Sequence, residues 1–301
     1  MPKSAKPLNE QVMVITGASS GIGLATALLA ADNGVKLVLN ARSENTLGEI
    51  ASHVRNEGGD VIAVAGDVGN PEDVDRIGAM ALSHFGRIDT WVNDAGVSIY
   101  SRILESSDED NRRLFDTNFW GVVYCSQVAI PHLTETRGTL INIGSEVSEA
   151  VVPLQGMYSA SKHAVKAFTD TLRIELDHDK TPVSVTLIQP GATDTPFPEH
   201  ARNYMDREPA LPPPLDDPFD VAKAILQAAT SDTRDIRVSG MAKMNTLMAK
   251  FAPPIADKMG VKQMDRQQYA EAPRNPRGTL FTPGESGRVR GSGGERADRK
   301  A

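Results

Sequence analysis

The sequence has one cysteine and no long run of apolar residues, and each shortage excludes a class of protein. Cys125 has no second cysteine to pair with, so an internal disulfide framework is excluded. No apolar run approaches the roughly 18 residues that a membrane-spanning helix needs, and the polar start of the chain lacks the apolar core of a secretory signal. We therefore expect a cytoplasmic protein without an integral membrane segment.

Two further shortages narrow the choice of ligands and partners. The chain carries 32 Lys and Arg against 39 Asp and Glu, a net charge of −7, so it lacks the positive excess that is typical of nucleic-acid-binding proteins. Its six histidines show neither an HExxH motif nor another paired ligand spacing. We therefore predict no nucleic-acid partner and no metal site.

Residues 8–240 alternate short apolar runs with longer helical patterns. The apolar runs are residues 11–16, 35–41, 61–65, 90–93, 139–143 and 183–188. They show little alternation of polar and apolar residues, as expected of strands that are covered on both faces. Because strands separated by helices favour a parallel sheet, we predict one α/β domain over residues 8–240, with a Rossmann-like doubly wound parallel sheet.

The end of the chain divides into two parts. Residues 241–270 carry an apolar stripe at helical spacing (Met241, Met244, Leu247, Met248 and Phe251), which predicts a C-terminal helical extension. The stripe could pack on the domain or a partner subunit, cover an apolar substrate, or lie on a membrane surface. Residues 271–301 are rich in Gly, Pro and Arg and poor in apolar residues, so we predict a disordered tail there.

A glycine-rich turn connects the first predicted strand to the first predicted helix. Such a turn lets the backbone approach a pyrophosphate, and the helix N-terminus then presents free N–H groups to the phosphates. The spacing is G-x3-G-x-G rather than the commoner G-x-G-x-x-G, and any tight turn can use glycine. Its position between a strand and a helix nevertheless favours nucleotide binding. The predicted phosphate-binding residues are Gly17, Ser19, Ser20, Gly21, Ile22 and Gly23.

The end of the second predicted strand bears on the choice between NADP and NAD. An acidic residue there would bind the ribose 2′-hydroxyl of NAD, but the strand ends at Asn40-Ala41-Arg42 and the first acidic residue is Glu44. Arg42 could instead pair with the 2′-phosphate of NADP, although a solvent-exposed loop arginine is common. We therefore favour NADP over NAD, with Arg42 as a cofactor-binding residue.

Tyr158 and Lys162 lie four residues apart at the start of a predicted helix, so their side chains share one face. A nearby positive charge lowers the pKa of a phenol, which makes Tyr158 a candidate proton donor or acceptor. Ser145 follows the apolar run 139–143, at the edge where open α/β sheets bind ligands. A Y-x3-K pair by itself is weak evidence of a catalytic site, so its interpretation depends on the other motifs of the chain.

In that context the chain resembles the short-chain dehydrogenase/reductase family over roughly residues 8–240. The motifs of the resemblance occur in order: TGASSGIG (16–23), DV (67–68), NDAG (93–96), Asn118, Ser145, YSASK (158–162) and PGATDT (190–195). Any one of these motifs could be accidental, whereas the ordered set is specific. Asp94 stands where the family more often has a second Asn, and the chain beyond about residue 240 lies outside the resemblance.

The resemblance implies a role for each matched residue. Tyr158 would be the general acid/base, Ser145 would hold the substrate oxygen, and Lys162 would bind the cofactor ribose and lower the pKa of Tyr158. Asn118 would complete the catalytic set by supporting a proton relay through water. The other implied cofactor contacts are Asp67 and Val68 at the adenine, Asn93, Ala95 and Gly96 along the cofactor, and Pro190, Gly191 and Thr195 at the nicotinamide.

These features predict an NADP(H)-dependent oxidoreductase that interconverts an alcohol and a carbonyl of a small-molecule substrate. The alternative is a non-catalytic NAD(P)-binding sensor or scaffold, which would need the glycine-rich turn but not the acid–base pair. The resemblance also implies a homodimer or homotetramer. Candidate pocket segments are residues 97–100, 146–155 and the proline-rich segment 192–218.

Overall fold

Seven parallel strands form the central sheet of the computed structural model, which describes residues 6–284 and 286–292. The strands of the chain are β1 (Val12–Thr16), β2 (Lys36–Ala41), β3 (Val61–Ala65), β4 (Thr90–Asn93), β5 (Ile99–Tyr100), β6 (Thr139–Ile143), β7 (Ser184–Gln189), β8 (Arg202–Asn203) and β9 (Asp235–Arg237). The helices are α1 (Gly21–Asp32), α2 (Glu44–Asn56), α3 (Pro71–Phe85), α4 (Asp108–Phe115), α5 (Gly121–Thr136), α6 (Gly156–His178), α7 (Phe197–His200), α8 (Pro218–Ala229), α9 (Gly240–Phe251) and α10 (Pro253–Gln263).

The order of the strands determines where a ligand can bind. The central sheet has the order β3-β2-β1-β4-β6-β7-β9, and a separate two-stranded sheet pairs β5 with β8. The chain winds outward in one direction from β1 through β2 and β3, and then in the other direction from β4 onward. A crevice therefore opens where β1 and β4 diverge at their carboxyl ends, which is the usual binding position in open α/β sheets.

The prediction of a Rossmann-like α/β fold is confirmed. Every residue of β1, β4, β6 and β7 is buried, because helices cover both faces of the sheet. The six predicted strands agree with the structure to within one residue at each end. The sequence did not reveal β9 or the pair β5 and β8, since these strands have only two or three residues and carry no pattern of their own.

The helical extension lies at the mouth of the crevice. It consists of α9, α10 and a 3-10 turn over Met264–Gln267. Within the predicted apolar stripe, Met248 lines the crevice, whereas Met244, Leu247 and Phe251 are exposed. The side chain of Met241 lies outside the described residues. Packing against the domain therefore accounts for only part of the stripe. Among the described residues, no helix is both long enough and apolar enough to cross a membrane.

The tail differs from its sequence-based expectation. The composition of residues 271–301 predicts disorder, but residues 271–284 and 286–292 lie against the domain, and Leu280 is fully buried among Val97, Ile99 and Leu114. The prediction of disorder does not describe these residues, because one inserted leucine and several backbone hydrogen bonds fix a segment whose average composition is poor in apolar groups. Glu285 and residues 293–301 of the predicted tail lie outside the described residues.

The burial of Leu280 predicts a measurable contribution of the tail to stability. Replacing a buried leucine by alanine removes apolar contacts and leaves a cavity, which usually costs about 2–5 kcal/mol. We expect Leu280→Ala to lower the free energy of unfolding in urea by about that amount. Leu104→Ala is the matched control, because Leu104 is 94% exposed, and it should leave the free energy of unfolding nearly unchanged. Equal effects of the two substitutions would contradict the docking of the tail.

Candidate active site

One continuous cleft of about 1290 Å³ runs along the carboxyl edge of the sheet. It brings together most of the residues that the sequence singled out. Those lining the cleft are Gly17, Ser19, Ser20, Gly21, Ile22, Arg42, Asp67, Val68, Ala95, Gly96, Ser145, Tyr158, Lys162, Pro190, Gly191 and Thr195. Residues distant in sequence meet here because the parallel strands β1, β2, β4, β6 and β7 all end at this edge.

Three predicted site residues lie behind the cleft wall rather than in it. Gly23 packs against the turn before α1, where a Cβ would lie 2.4 Å from the carbonyl oxygen of Gly17. Asn93 is buried beneath the cleft, where its Oδ1 accepts from Trp91 Nε1 at 2.9 Å and its Nδ2 donates to Asn142 Oδ1 at 2.8 Å. The side chain of Asn93 therefore supports the cleft from below, and the cofactor contact that the resemblance implies for this residue stays a prediction.

Asn118 is the third of these residues, and its side chain is fully engaged. Its Oδ1 accepts from Val97 N at 2.8 Å, and its Nδ2 donates to Val97 O at 3.0 Å and to Ser161 Oγ at 3.1 Å. It lies in a π-helical turn over Asp116–Trp120, between α4 and α5, and such widened turns are frequent at functional sites. The side chain joins the β4 loop to α6, and its implied role in a proton relay stays a prediction.

The glycine-rich turn depends on its lack of side chains. Gly17 has φ +72°, and a Cβ there would lie 2.8 Å from the backbone of Ala95. Gly21, the first residue of α1, has φ +57°, and a Cβ there would lie 3.2 Å from the side chain of Thr195, which is closer than an ordinary contact. These glycines bring the start of α1 close to the β4 loop and to the loop after β7. The N-terminus of α1 therefore forms one wall of the cleft, with its positive dipole end beside it.

Tyr158, Ser145 and Lys162 form a cluster beside this wall. The side chain of Ser145 lies beside the Tyr158 hydroxyl, where it acts as a hydrogen-bond donor to the ionised phenol, and Lys162 Nζ lies 5.8 Å from the centroid of the Tyr158 ring. Lys162 donates to the carbonyl of Ile143 at 2.8 Å, which fixes the ammonium near the end of β6. Burial raises the pKa of Tyr158 above its ordinary value, and the bond from Ser145 opposes this only in part. The charges of Asp94 and Glu146 raise this pKa further, so the lowering by Lys162 that the resemblance implies stays a prediction.

Asp94 and Lys162 are buried ionisable groups of opposite charge, and each shifts the pKa of the other. Burial raises the pKa of Asp94 to about 7, although the Lys162 charge and a hydrogen bond from the Gly23 amide favour the carboxylate. Burial also lowers the pKa of Lys162 to about 8, and the Asp94 charge opposes this shift. The family more often has an uncharged Asn at this position, so the carboxylate that supports the charge of Lys162 is a feature of this chain.

The guanidinium of Arg42 lies at the far end of the cleft, where it holds the tail. Its Nη1 donates to the carbonyl of Leu280 at 3.0 Å, and its Nη2 donates to the carbonyl of Thr279. Arg113 donates to the same Leu280 carbonyl at 3.1 Å and forms an ion pair with Asp67. The tail therefore reaches the residues that the sequence assigns to the ribose and the adenine of a cofactor.

Further groups line the cleft, and sequence reasoning had named some of them only as part of a candidate pocket segment and had missed others. Glu146 Oε2 accepts from Asn245 Nδ2 at 2.9 Å, across 99 residues of sequence, and burial raises the pKa of Glu146. Glu146 is the first residue of the candidate pocket segment 146–155, whereas nothing in the sequence marks Asn245. The helical extension adds an apolar mouth that is lined by Met248, Pro253, Ala256, Met259, Val261 and Met264. The tail adds Thr279, Pro283 and Gly284.

Comparison with known proteins agrees with this arrangement. The family model described as short chain dehydrogenase matches residues 11–205. The uncharacterized oxidoreductase YxnA of Bacillus subtilis (strain 168) is 45% identical over 275 residues, which cover 90% of this chain and 77% of that protein. The 11-beta-hydroxysteroid dehydrogenase A of Sesamum indicum is 40% identical over 183 residues, which cover 60% of this chain and 52% of that protein. The chain thus spans about half the length of the second relative.

Solved structures share the fold over most of their length. The alcohol dehydrogenase from the archaeon Thermococcus sibiricus, complexed with 5-hydroxy-NADP, has 31% sequence identity and a TM-score of 0.67, covering 75% of this chain and 94% of that chain. A short chain dehydrogenase/reductase from Burkholderia phymatum, in complex with NAD, has 27% sequence identity and a TM-score of 0.75. The match covers 89% of this chain and 99% of that chain.

The raised pKa of Asp94 predicts how stability depends on pH. Because the folded chain keeps the Asp94 proton where the unfolded chain has lost it, the free energy of unfolding should fall as pH rises from about 4 towards 7. We expect Asp94→Asn to reduce this fall, since the amide oxygen can still accept from Gly23 but cannot ionise. Urea denaturation of the cofactor-free protein between these pH values measures the effect. Asp60→Asn, at an exposed position, is the control. An unchanged slope in Asp94→Asn would refute the assignment.

Proposed function

The chain belongs to the short-chain dehydrogenase family, and we propose that it is an NADP(H)-dependent oxidoreductase that interconverts an alcohol and a carbonyl. The observation that carries the proposal is the convergence of Ser145, Tyr158 and Lys162 in the cleft that the glycine-rich turn also lines. A sensor would need the phosphate-binding end of such a cleft but not a phenol paired with a hydroxyl and an ammonium. The cytoplasmic location and the homo-oligomer that the sequence suggests stay predictions.

The residues of the cleft fit a nicotinamide dinucleotide. The cleft continues without a break from Arg42 and Asp67, past the N-terminus of α1, to Thr195 and Tyr158. Its volume exceeds the roughly 300–1,000 Å³ of a usual small-ligand pocket, which leaves room for a cofactor and a substrate together. In this proposal the α1 N-terminus holds the pyrophosphate, and Lys162 binds the ribose next to the nicotinamide. A bound cofactor would supply or accept the hydride.

The chain itself holds the reacting oxygen and moves the proton. Ser145 donates to the substrate oxygen, and Tyr158 gives its phenolic proton to that oxygen in reduction or takes a proton from it in oxidation. The phenol is protonated at neutral pH, as donation to a carbonyl requires, but burial raises the pKa of Tyr158 and makes it a weaker acid, so a nearby positive charge is needed to lower that pKa. Lys162 contributes a positive charge that stabilises the phenolate after the transfer, and the Asp94 carboxylate, once it is ionised, opposes the loss of that charge.

The lining of the cleft mouth supports an apolar body for the substrate. Side chains from α9, α10 and the following turn, with Val151 and Pro153, surround the opening with hydrocarbon. Burial of such a substrate surface contributes about 25 cal/mol per Å². Polar groups line the cleft as well, among them Asp257, Gln263 and Arg266 at the mouth. Glu146 with Asn245, and Asp216, could orient a second polar group of the substrate.

Loss of the phenol should remove most of the turnover. A positioned acid–base group contributes about 10²–10⁴-fold, so we expect Tyr158→Phe to lower kcat by about that factor while NADPH binding persists. Tyr124→Phe is the matched control, because Tyr124 lies on α5, stacks on Trp120 and does not line the cleft. This variant should retain wild-type turnover. Near-normal kcat in Tyr158→Phe would overturn the assignment of the general acid/base.

A substrate screen separates the enzyme from a sensor. NADPH oxidation is followed by absorbance with a panel of ketones and aldehydes that have apolar bodies of increasing size. We expect turnover of the bulkier apolar carbonyls, with the same products absent in Tyr158→Phe. Tight NADPH binding without turnover of any panel member would favour the sensor.

The preference for NADP rests on Arg42. We expect Arg42→Asp to weaken NADPH binding relative to NADH by about 2–3 kcal/mol, because a charge-assisted contact with the 2′-phosphate becomes a repulsion. The measured quantity is the ratio of the two dissociation constants, since loss of the tail contacts of Arg42 affects both cofactors alike. Arg112→Asp makes the same charge change at an exposed position and should leave the ratio unchanged. An unchanged ratio in Arg42→Asp would remove Arg42 from the specificity site.

A further inference from the structure

The described part of the tail beyond Gly278 crosses the candidate cofactor site. This segment, residues 279–284 and 286–292, is called the strap below. It starts at Arg42, where the carbonyls of Thr279 and Leu280 are held, and it reaches the N-terminus of α1, where the Gly21 amide donates to the carbonyl of Arg288 at 2.9 Å. It therefore contacts the ribose end and the phosphate end of the same cleft.

The strap continues to the opposite wall. Glu199 accepts from the Arg288 guanidinium at 2.7 Å and from the Ser292 amide at 2.7 Å. Arg290 pairs with Asp217, next to the start of α8. Gly291 lies so close to the loop after β7 that a Cβ there would be 2.5 Å from the carbonyl oxygen of Thr195. The strap thus bridges the end of β2, the start of α1 and the loop after β7, which are three walls of the cleft.

The strap covers the cleft without filling it. Thr279, Pro283 and Gly284 line the same continuous space as the glycine-rich turn, Arg42 and Asp67. Arg42 has five N–H donors, and the two carbonyls of the strap use only two of them, so further donors remain for a phosphate. One guanidinium can therefore hold the strap and a ligand below it at the same time.

The contacts of the strap suggest which part opens. Leu280 is fully buried and anchors the segment, whereas beyond it Phe281, Thr282 and Pro283 are exposed. The later contacts are backbone hydrogen bonds, partly exposed ion pairs and the half-buried Val289. Segments with few buried apolar contacts open locally while the rest of a protein stays folded.

From these contacts we infer that the strap closes over the bound dinucleotide, which enters and leaves only when residues 286–292 detach while Leu280 stays anchored. The inference rests on the proposed function, because the ligand is the cofactor of that site. Closure slows release, since the strap must open before the cofactor leaves. It also slows entry, since only the fraction of molecules with an open strap can bind.

Stopped-flow fluorescence of NADPH tests this inference by comparing two truncated forms of the protein. A chain ending at Gly284 keeps Leu280 and removes the contacts of Arg288 to Ser292, whereas a chain ending at Ser292 keeps every described contact. We expect the shorter chain to release NADPH roughly tenfold faster or more, because changes within one interface act mainly on dissociation. We also expect it to bind NADPH faster. The shorter chain also lacks Arg288 and Arg290, and the loss of these positive charges would by itself slow the binding of an anionic ligand. Faster binding therefore cannot result from the change in charge.

A point variant tests the same step without changing the charge or the chain length. Gly291→Val places a side chain against the Thr195 carbonyl and should displace the strap there, raising both rate constants. Gly48→Val is the control, since nothing lies within 4 Å of a Cβ at Gly48. Hydrogen exchange provides a further readout: in the full chain, NADPH should increase the protection of the amides of residues 286–292.

Each other outcome contradicts a separate part of the inference. Faster binding with unchanged release would mean that the strap competes with the cofactor rather than covering it. Unchanged rates in both variants, with normal NADPH affinity, would mean that the strap does not guard the site, and the proposed function would stand. If the full chain bound neither NADPH nor NADH at equilibrium, the proposed function would fail and the inference with it.

Discussion

The close backbone approach at Gly17 and Gly23 is the constraint on which the site depends. A Cβ at Gly17 would lie 2.8 Å from the backbone of Ala95, and one at Gly23 would lie 2.4 Å from the carbonyl of Gly17. The absence of side chains lets β1 turn sharply into α1 while resting on the loop after β4. The cleft then forms between the N-terminus of α1 and the ends of β4 and β6, where Tyr158 and Ser145 can share a ligand with the phosphate-binding turn.

A buried polar network holds the β4 and β6 ends in register below this cleft. Trp91 donates to Asn93, Asn93 to Asn142, and Asn142 to Thr169 on α6. Each amide is satisfied, so the network adds order without the cost of an unpaired buried group. Because Thr169 lies on the same helix as Tyr158 and Lys162, the network ties the catalytic face of α6 to the sheet. The two amides therefore act on the chemistry by fixing positions, although neither lines the cleft.

The sequence predicted the sheet and most of the cleft, because both follow from local patterns. Buried parallel strands read as continuous apolar runs, and the glycine-rich turn and the Y-x3-K pair each lie within a few residues. Asn93 shows the limit of such patterns, since a motif position does not tell whether an amide faces the ligand or the core. No local sequence pattern predicts the role of Asn245, because its contact with Glu146 depends on how α9 packs across the mouth of the cleft.

The tail shows why composition can mislead about order. An entropy argument weighs the average apolar content of a segment against the cost of fixing its backbone. Residues 279–292 are poor in apolar groups, yet their carbonyls at Thr279, Leu280 and Arg288 meet donors that the domain already presents at Arg42 and the start of α1. Those donors are fixed by the same glycine-rich turn and strand end that would recognise phosphate. Donors that would bind the anionic oxygens of a phosphate can therefore also bind backbone carbonyls, and in this chain the carbonyls come from its own tail.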